Sequence, residues 1–431
     1  MSTNAIAVLI LMTVFLFLLF FRMEIMFAIL TACVVTMWYL KLPLELVITK
    51  GLSTVRSYSL LAIPLFIIAG EILADGSLSE KIIEFVQAGV GWMRGGLAMV
   101  NVMASTFFGG ISGSPLADIS SLGTVLIPMM KKEGYDEEFA TDITLASSQQ
   151  GLMIPPSHNM VIYAMAAGGV ASVSKLFLAG IVPGLLLAMV LMVYSYYCAV
   201  KRNYPKGERF SLKRFVKTFF TSFWGLMTLV IIVIGCTTGI FTATEAAAIS
   251  ILWALFVTTF IYRDMTKERL WRLLGRCINT VSRIMIVMAI SSTFGFLVAF
   301  LKVPEILSKS IYGITDNRIV ILLLINLILI FLGMIMDMGS ILIIATPIFL
   351  PIVMQLGMDP VHFGIVMVFN LAIGMMTPPV GGALTMGHVI SGIKMERLFV
   401  SLIPFLLIMI LTLLAITFVP ALTMTLPNLV G

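Results

Sequence analysis

Long apolar runs separated by short polar stretches dominate this chain. The runs 5–21 and 320–332 contain no charged residue at all. A bilayer crossing takes roughly 20 mostly apolar residues, and the sequence has room for about a dozen such segments. The pattern therefore predicts an all-α polytopic membrane protein, with too little polar sequence left over for a sizeable soluble domain. The first run begins almost at once and ends at Arg22, with no cationic start and no small-residue cleavage site, so it is expected to be a retained helix rather than a signal peptide.

The polar stretches give the expected topology. Residues 201–217 hold seven Lys or Arg against Glu208, and residues 263–276 hold five against Asp264 and Glu268. Short basic loops favour the cytoplasm, so both should lie inside, with spans 218–240 and 243–262 between them, turning at Gly235-Cys-Thr-Thr-Gly239. Span 175–200 then runs inward and span 278–300 outward. Loop 354–362 has no Lys or Arg and suits the outside. The last span, 398–420, ends outside, and the N-terminus is expected outside too. Lys41, Lys50 and Arg56 fall on the outer side in this scheme, which suits a segment 41–56 lying along the interface.

Two apolar segments are interrupted midway. Segment 95–130 breaks at Gly109-Gly-Ile-Ser-Gly-Ser-Pro115, and segment 317–353 breaks near Met336-Asp-Met-Gly-Ser340. Each is expected to be a re-entrant helical hairpin. Segments 143–169 and 363–392 break at Pro155-Pro156 and Pro378-Pro379. A shift of 223 residues superimposes Gly110 on Gly333, Pro128 on Pro351, Gly134 on Gly357, Asp136 on Asp359, Gly151 on Gly374, Met153 on Met376, and each Pro-Pro on the other. The matches are mostly Gly, Pro and Asp, residues that serve backbone geometry. Chance likeness between apolar helices would match Leu, Ile and Val instead. By the topology above the copies run in opposite directions. An inverted repeat with paired broken helices is the signature of a secondary transporter with its site near the midplane. The expected division is 1–56 and 176–277 as scaffold, 57–175 and 278–397 as the two repeats, and 398–431 as the final span.

Each break frees carbonyl oxygens at one half-helix end, a cradle for a small cation, and amides at the other, a receptor for an anion. In the first repeat the candidates are Gly110, Ser112, Gly113 and Ser114 at the tip, then Ser147, Ser148, Gly151, Pro155, Pro156 and Ser157 along the broken helix. In the second they are Gly333, Met336, Asp337 and Ser340, then Asn370, Gly374, Thr377, Pro378 and Gly381. An intramembrane carboxylate marks function by default. Asp337 and Asp118 nonetheless each have a second reading, as the cap of a half-helix or a local hydrogen-bond acceptor. His158 and Asn159 follow the first Pro-Pro and face the expected site. Glu245 reads as a helix-start residue.

Composition excludes other classes. Hydrophobic residues make up 60% and charged residues 11%, and the mean hydropathy is +1.10. The net charge of +6 belongs to the two topology-setting clusters and is no nucleic-acid signal. The four cysteines show no metal or disulfide spacing. There is no nucleophile elbow, no HExxH and no P-loop, so neither an enzyme nor an ATP-driven pump is indicated, and ion coupling is the natural energy source.

Three stretches resemble the large permease subunit of the tripartite ATP-independent periplasmic (TRAP) transporters, the DctM family. They are Gly110-Ile-Ser-Gly-Ser114 with Ala117-Asp118; Gly239-Ile-Phe-Thr-Ala-Thr-Glu-Ala-Ala-Ala248; and the run from Pro347 through Asp359-Pro-Val-His-Phe-Gly364 and Asn370-Leu-Ala-Ile-Gly374 to Thr377-Pro-Pro-Val-Gly381. The resemblance covers essentially the whole chain. It implies an inner-membrane importer driven by sodium, with no other cofactor. Its expected partners are a separate small four-helix membrane subunit (DctQ type) and a periplasmic binding protein (DctP type). It also implies an elevator, in which a scaffold stays still while a domain carrying both hairpins slides. Carried over residue by residue, the resemblance places sodium at Gly110, Ser112, Gly113, Ser114, Gly151, Pro155, Gly333, Asp337, Gly374, Thr377 and Pro378. Ser147, Ser148, Ser157, His158, Asn159, Asn370 and Gly381 are left for an organic anion such as a C4-dicarboxylate, a sugar acid or a sialic-acid-like carboxylate. A stand-alone sodium–carboxylate symporter is the alternative. The chain departs from the family pattern at Ser147-Ser-Gln-Gln150, at His158-Asn159 and at Gly381-Gly-Ala383, all near the expected substrate site.

Overall fold

The structure, a computed structural model, describes residues 3–21, 23–313 and 315–430; Arg22, taken as the end of the first run, lies outside the described residues. Among them are helices and no strand, apart from a single isolated bridge between Arg94 and Lys206. Helices α1 (Thr3–Phe20), α2 (Ile25–Tyr39) and α3 (Glu45–Val55) open the chain. Then come α4 (Ala62–Ala74), α5 (Leu78–Val90), α6 (Gly96–Ser112), the short α7 (Pro115–Asp118) and, after a π-helical turn, α8 (Thr124–Lys132). Next are α9 (Glu137–Ser148), α10 (His158–Ala166), α11 (Val173–Lys201), α12 (Leu212–Thr237) and α13 (Ala243–Phe256). The last third holds α14 (Lys267–Phe300), α15 (Val303–Tyr312), α16 (Arg318–Ile335), α17 (Met338–Gln355), α18 (Pro360–Met375), α19 (Gly382–Ser391), α20 (Met395–Phe418) and α21 (Ala421–Val430).

Seven described helices are long and apolar enough to cross a membrane, or eight if the bent pair α4–α5 counts as one span. That is fewer than the dozen the hydropathy suggested. The difference lies in shorter apolar helices, among them α2, α6, α18 and α21, whose lengths are cut by Gly and Pro. The expected span 57–75 is a helix that stops at Ala74 and bends by 70° into α5. The expected span 278–300 starts earlier, at Lys267, so the second basic stretch is itself helical. A further short helix, α21, follows the expected last span. Glu245 is a helix-start residue as anticipated: it closes a capping box with Thr242.

Ion pairs hold the α4–α5 bend to the start of α14. Asp75, at the end of α4, accepts from Arg269 at 2.6 Å and also pairs with Arg276. Asp264 accepts from the backbone N–H of Ser77 at 2.8 Å. Elsewhere Asp136, ahead of α9, accepts from the Tyr204 hydroxyl at 2.7 Å and the Arg202 guanidinium at 2.6 Å. Those two bonds hold its carboxyl below the usual carboxylate range, so the contact persists at neutral pH.

The two sequence copies are built alike. In the first, α6 packs on α9 and on the turn that follows it; in the second, α16 packs on α18. Both contacts centre on paired glycines. A Cβ on Gly109 would lie 2.6 Å from the Gly151 Cα, and one on Gly374 would lie 2.6 Å from the Gly333 Cα. Only hydrogen fits at either crossing. An asparagine on the first helix of each copy reinforces the contact. The Ser147 hydroxyl donates to Asn101 Oδ1 at 3.1 Å, and Asn370 Nδ2 donates to Asn326 Oδ1 at 2.9 Å. Ser147 and Asn370 are themselves equivalent under the 223-residue shift. Both Pro-Pro bonds, Pro155-Pro156 and Pro378-Pro379, are cis.

These crossings predict opposite results for glycine substitutions. Overpacking of this kind costs about 1–3 kcal/mol, so Gly151→Ala and Gly374→Ala should both lower the melting temperature of the purified protein. Gly295→Ala meets nothing within 4 Å and should leave it unchanged or raise it, alanine being the better helix former by about 1 kcal/mol. Equal melting temperatures for Gly374→Ala and Gly295→Ala would refute the tight crossing.

Candidate functional site

Each break packs against the tip of its own copy. At the first, Gly113 has φ +62°, and a Cβ there would sit 2.5 Å from the Pro156 carbonyl oxygen, so the tip rests on the Pro-Pro break. Gly110 fits between Leu229 of α12 and Ile154. Ser114 caps α7 by accepting from Ala117 N at 3.5 Å, and Ser112 Oγ accepts from Ser114 N at 3.3 Å. At the second, the Val380 N–H donates to Met334 O at 3.1 Å. Thr377 Oγ1 donates back to Ile373 O at 2.9 Å, and Gly381 turns with φ +47°. Each tip thus packs against the break of its own copy, and at the second a backbone hydrogen bond joins them.

One cavity of about 650 Å³ brings the two tips together. Its walls include Ser112, Ser114 and Leu116 from the first tip, Asp337, Gly339 and Ser340 from the second, and His158, Asn159 and Ile162 from α10. Facing them are Glu24 at the start of α2, Glu71 of α4, and Thr280 and Arg283 of α14. Of the residues singled out from the sequence, Ser112, Ser114, Asp337, Ser340, His158 and Asn159 meet here. Gly110, Gly113, Gly151, Gly333 and Gly374 make the close backbone contacts described above. Pro155 and Pro156 lie buried beneath the first tip. Thr377, Pro378 and Gly381 form the second break, which is not part of the cavity wall.

Four expected substrate contacts are buried away from it. Ser147 and Asn370 bond across helices, and Ser148 Oγ donates to Leu145 O at 2.8 Å within its own helix. Ser157 is fully buried, and its hydroxyl has no hydrogen-bond partner among the described residues. Asp337 caps α17, its Oδ2 accepting from Gly339 N at 3.0 Å and Ser340 N at 3.4 Å, and it also lines the cavity. Asp118 is buried among polar side chains, accepting from Ser105 at 3.4 Å, and its second oxygen has no described partner.

Arg283, Glu71 and Glu24 are the ionisable cavity residues not singled out from the sequence. Arg283 lies within the apolar run 278–300 and Glu71 within 57–75, so the signal was an ionisable residue inside a span. Among the described residues Arg283 forms no ion pair and no side-chain hydrogen bond. Among the described residues no group of three or more His, Cys, Asp or Glu is placed to hold a metal ion. A hard cation here would depend on hydroxyl and carbonyl oxygens. The first break offers these in Ser112 Oγ, Ser114 O, Pro156 O and the unpartnered Ser157 Oγ, so the residues present fit sodium.

An all-helical bundle of apolar helices, two interlocked broken copies and a cavity between their tips define a polytopic membrane transporter. The profile of the family described as the tripartite ATP-independent periplasmic transporter, DctM component, matches residues 11–422. The chain belongs to that family. It is 36% identical to the C4-dicarboxylate TRAP transporter large permease protein DctM of Rhodobacter capsulatus, covering 91% of this chain and 92% of the relative. It is 37% identical to the sialic acid TRAP transporter large permease protein SiaM of Vibrio cholerae, covering 88% of each. It is 41% identical to YgiK of Salmonella typhimurium, covering 86% and 85%. In fold it is similar to the crystal structure of the YdaH transporter of Alcanivorax borkumensis, with a TM-score of 0.61, 13% identity and 86% of each chain covered.

Burial separates the cavity residues from the packing residues in a measurable way. Ser114→Cys should react with a water-soluble maleimide in the folded protein, whereas Ser148→Cys should react only after unfolding. The native Cys33, Cys198, Cys236 and Cys277 are all buried and should add little background. Labelling of both variants at similar rates would contradict this placement.

Proposed function

We propose that this chain is the sodium-driven membrane component of a three-part importer of an organic carboxylate. The observation that carries the reading is the cavity in which both tips and His158-Asn159 face the unpaired Arg283. The substrate carboxylate binds Arg283, and sodium occupies the oxygen cradles at the tips and breaks. Binding of the cation lowers the cost of bringing an anion to a site that also holds carboxylates. The two helix pairs act as re-entrant hairpins within a domain that slides against a scaffold containing α11 to α13. The snug glycine crossings support that motion as a rigid body, because they leave no room for the helices to shear apart. Arg283 stands in the first half of α14, after the basic stretch 263–276, and short basic loops favour the cytoplasm. The cavity therefore opens inward in this conformation, with the N-terminus periplasmic in the inner membrane.

The family's tripartite description supports two partners: a small membrane subunit and a periplasmic binding protein that delivers substrate. The named relatives support the substrate class, an organic anion such as a C4-dicarboxylate or sialic acid.

Uptake by the complete three-part system in proteoliposomes tests this. Replacing the sodium gradient with choline should abolish uptake. Arg283→Gln should raise the half-saturating substrate concentration by about tenfold or more, the worth of one charge-assisted hydrogen bond. Arg283→Lys should fall between, keeping the charge but losing the fork. Full uptake without sodium, or wild-type behaviour of Arg283→Gln, would overturn the assignment.

A further inference from the structure

We infer that the cavity selects a monocarboxylate whose far end donates hydrogen bonds, of the sugar-acid type, over a C4-dicarboxylate. The inference rests on the reading of Arg283 as the carboxylate contact and adds what the opposite wall must meet.

The basic and acidic side chains lining the cavity are unequal in number. One cation, Arg283, faces three carboxylates, Glu24, Glu71 and Asp337. Asp337 is engaged with the amides of Gly339 and Ser340. Glu71 lies 3.7 Å from Arg276, but that guanidinium also pairs with Asp75, so one cation is shared between two acids. Glu24 is exposed, makes no capping hydrogen bond and has no ionic partner among the described residues. The cavity therefore has one place for a carboxylate. A second carboxylate, as a C4-dicarboxylate carries, finds no free cation and faces acidic side chains; like charges disfavour binding even when each is otherwise well packed.

The same acidic side chains are strong acceptors. A carboxylate offers about four lone-pair sites and no donor, so its preferred ligand group is a hydroxyl or an amine. Ser112, Ser114, Ser340 and Thr280 add hydroxyls to the walls, and Asn159 bonds His158 at 3.2 Å to present a polar pair. This lining matches a chain of hydroxyls better than a short apolar link between two acids. A site built for hydroxyls also rejects analogues lacking them, because its buried polar groups are left unpaired.

The purified chain with its small subunit, in detergent at saturating sodium, tests the proposal by thermal protection with D-gluconate and with succinate. Wild-type protein should be half-protected by gluconate at a concentration about tenfold below that for succinate, a difference of one charge contact. Glu24→Gln and Glu71→Gln should each narrow the gap by improving succinate, and Arg283→Gln should remove protection by both. Glu24→Gln breaks no described ion pair, so it reports even if Glu71→Gln, which frees Arg276, impairs folding. Protection by succinate equal to or better than by gluconate overturns the proposal. So does protection by neither, or a ratio unchanged in the glutamate variants. If the ratio stands in wild type but Arg283→Gln still binds both ligands, the carboxylate contact fails instead, which separates the two readings.

Discussion

A broken helix within a bilayer must find partners for the amides and carbonyls it exposes, because lipid supplies none. In this protein that constraint organises everything around the site. Each break is closed by the tip of the helix pair from its own copy, Gly113 over Pro156 and Met334 beneath Val380. Closure is possible only because the neighbouring helices approach to glycine distance, at Gly109–Gly151 and Gly333–Gly374. A methyl group at either crossing would meet the backbone of the partner helix and force the pair apart. The glycines thus come first and the polar chemistry follows from them.

The architecture was legible to the extent that backbone geometry writes itself in Gly, Pro and Asp. Both breaks, both tips and their equivalence could be read from the 223-residue shift. The shift nonetheless pairs Gly110 with Gly333, whereas the residue that touches Gly151 is Gly109. With two adjacent glycines, spacing cannot tell which faces the partner helix and which faces Leu229 of α12. Ser147 and Asn370 show a second limit. A polar residue in an apolar helix signals an obligation to hydrogen-bond, and a neighbouring helix satisfies it as well as a substrate does. Here Asn101 and Asn326, far away in sequence, are the satisfying partners.

Arg283 shows the reverse case. Two turns of helix separate it from Arg276, so in the sequence it stands beyond the basic stretch 263–276 and inside the apolar run 278–300. The fold distinguishes them by their partners: Arg276 meets Glu71 and Asp75, while Arg283 looks into the cavity with no acid against it. Charge at a membrane boundary costs little, but charge further along an apolar span needs a compensating group.

The two copies are equivalent in their packing but not in what they present. The second contributes its tip, with Asp337 tied to its own helix amides, while Thr377, Pro378 and Gly381 lie off the cavity wall. The first contributes its tip and also His158 and Asn159 from beyond the break. Repetition therefore supplies the frame, two breaks built alike, and departure from repetition changes which side chains reach the cavity. Residues equivalent to His158 and Asn159 in the second copy are Gly381 and Gly382, which turn the chain and start α19 without any side chain to offer. The two copies therefore differ most where the break meets the cavity: the first presents His158 and Asn159 there, and the second has no side chain at the corresponding place.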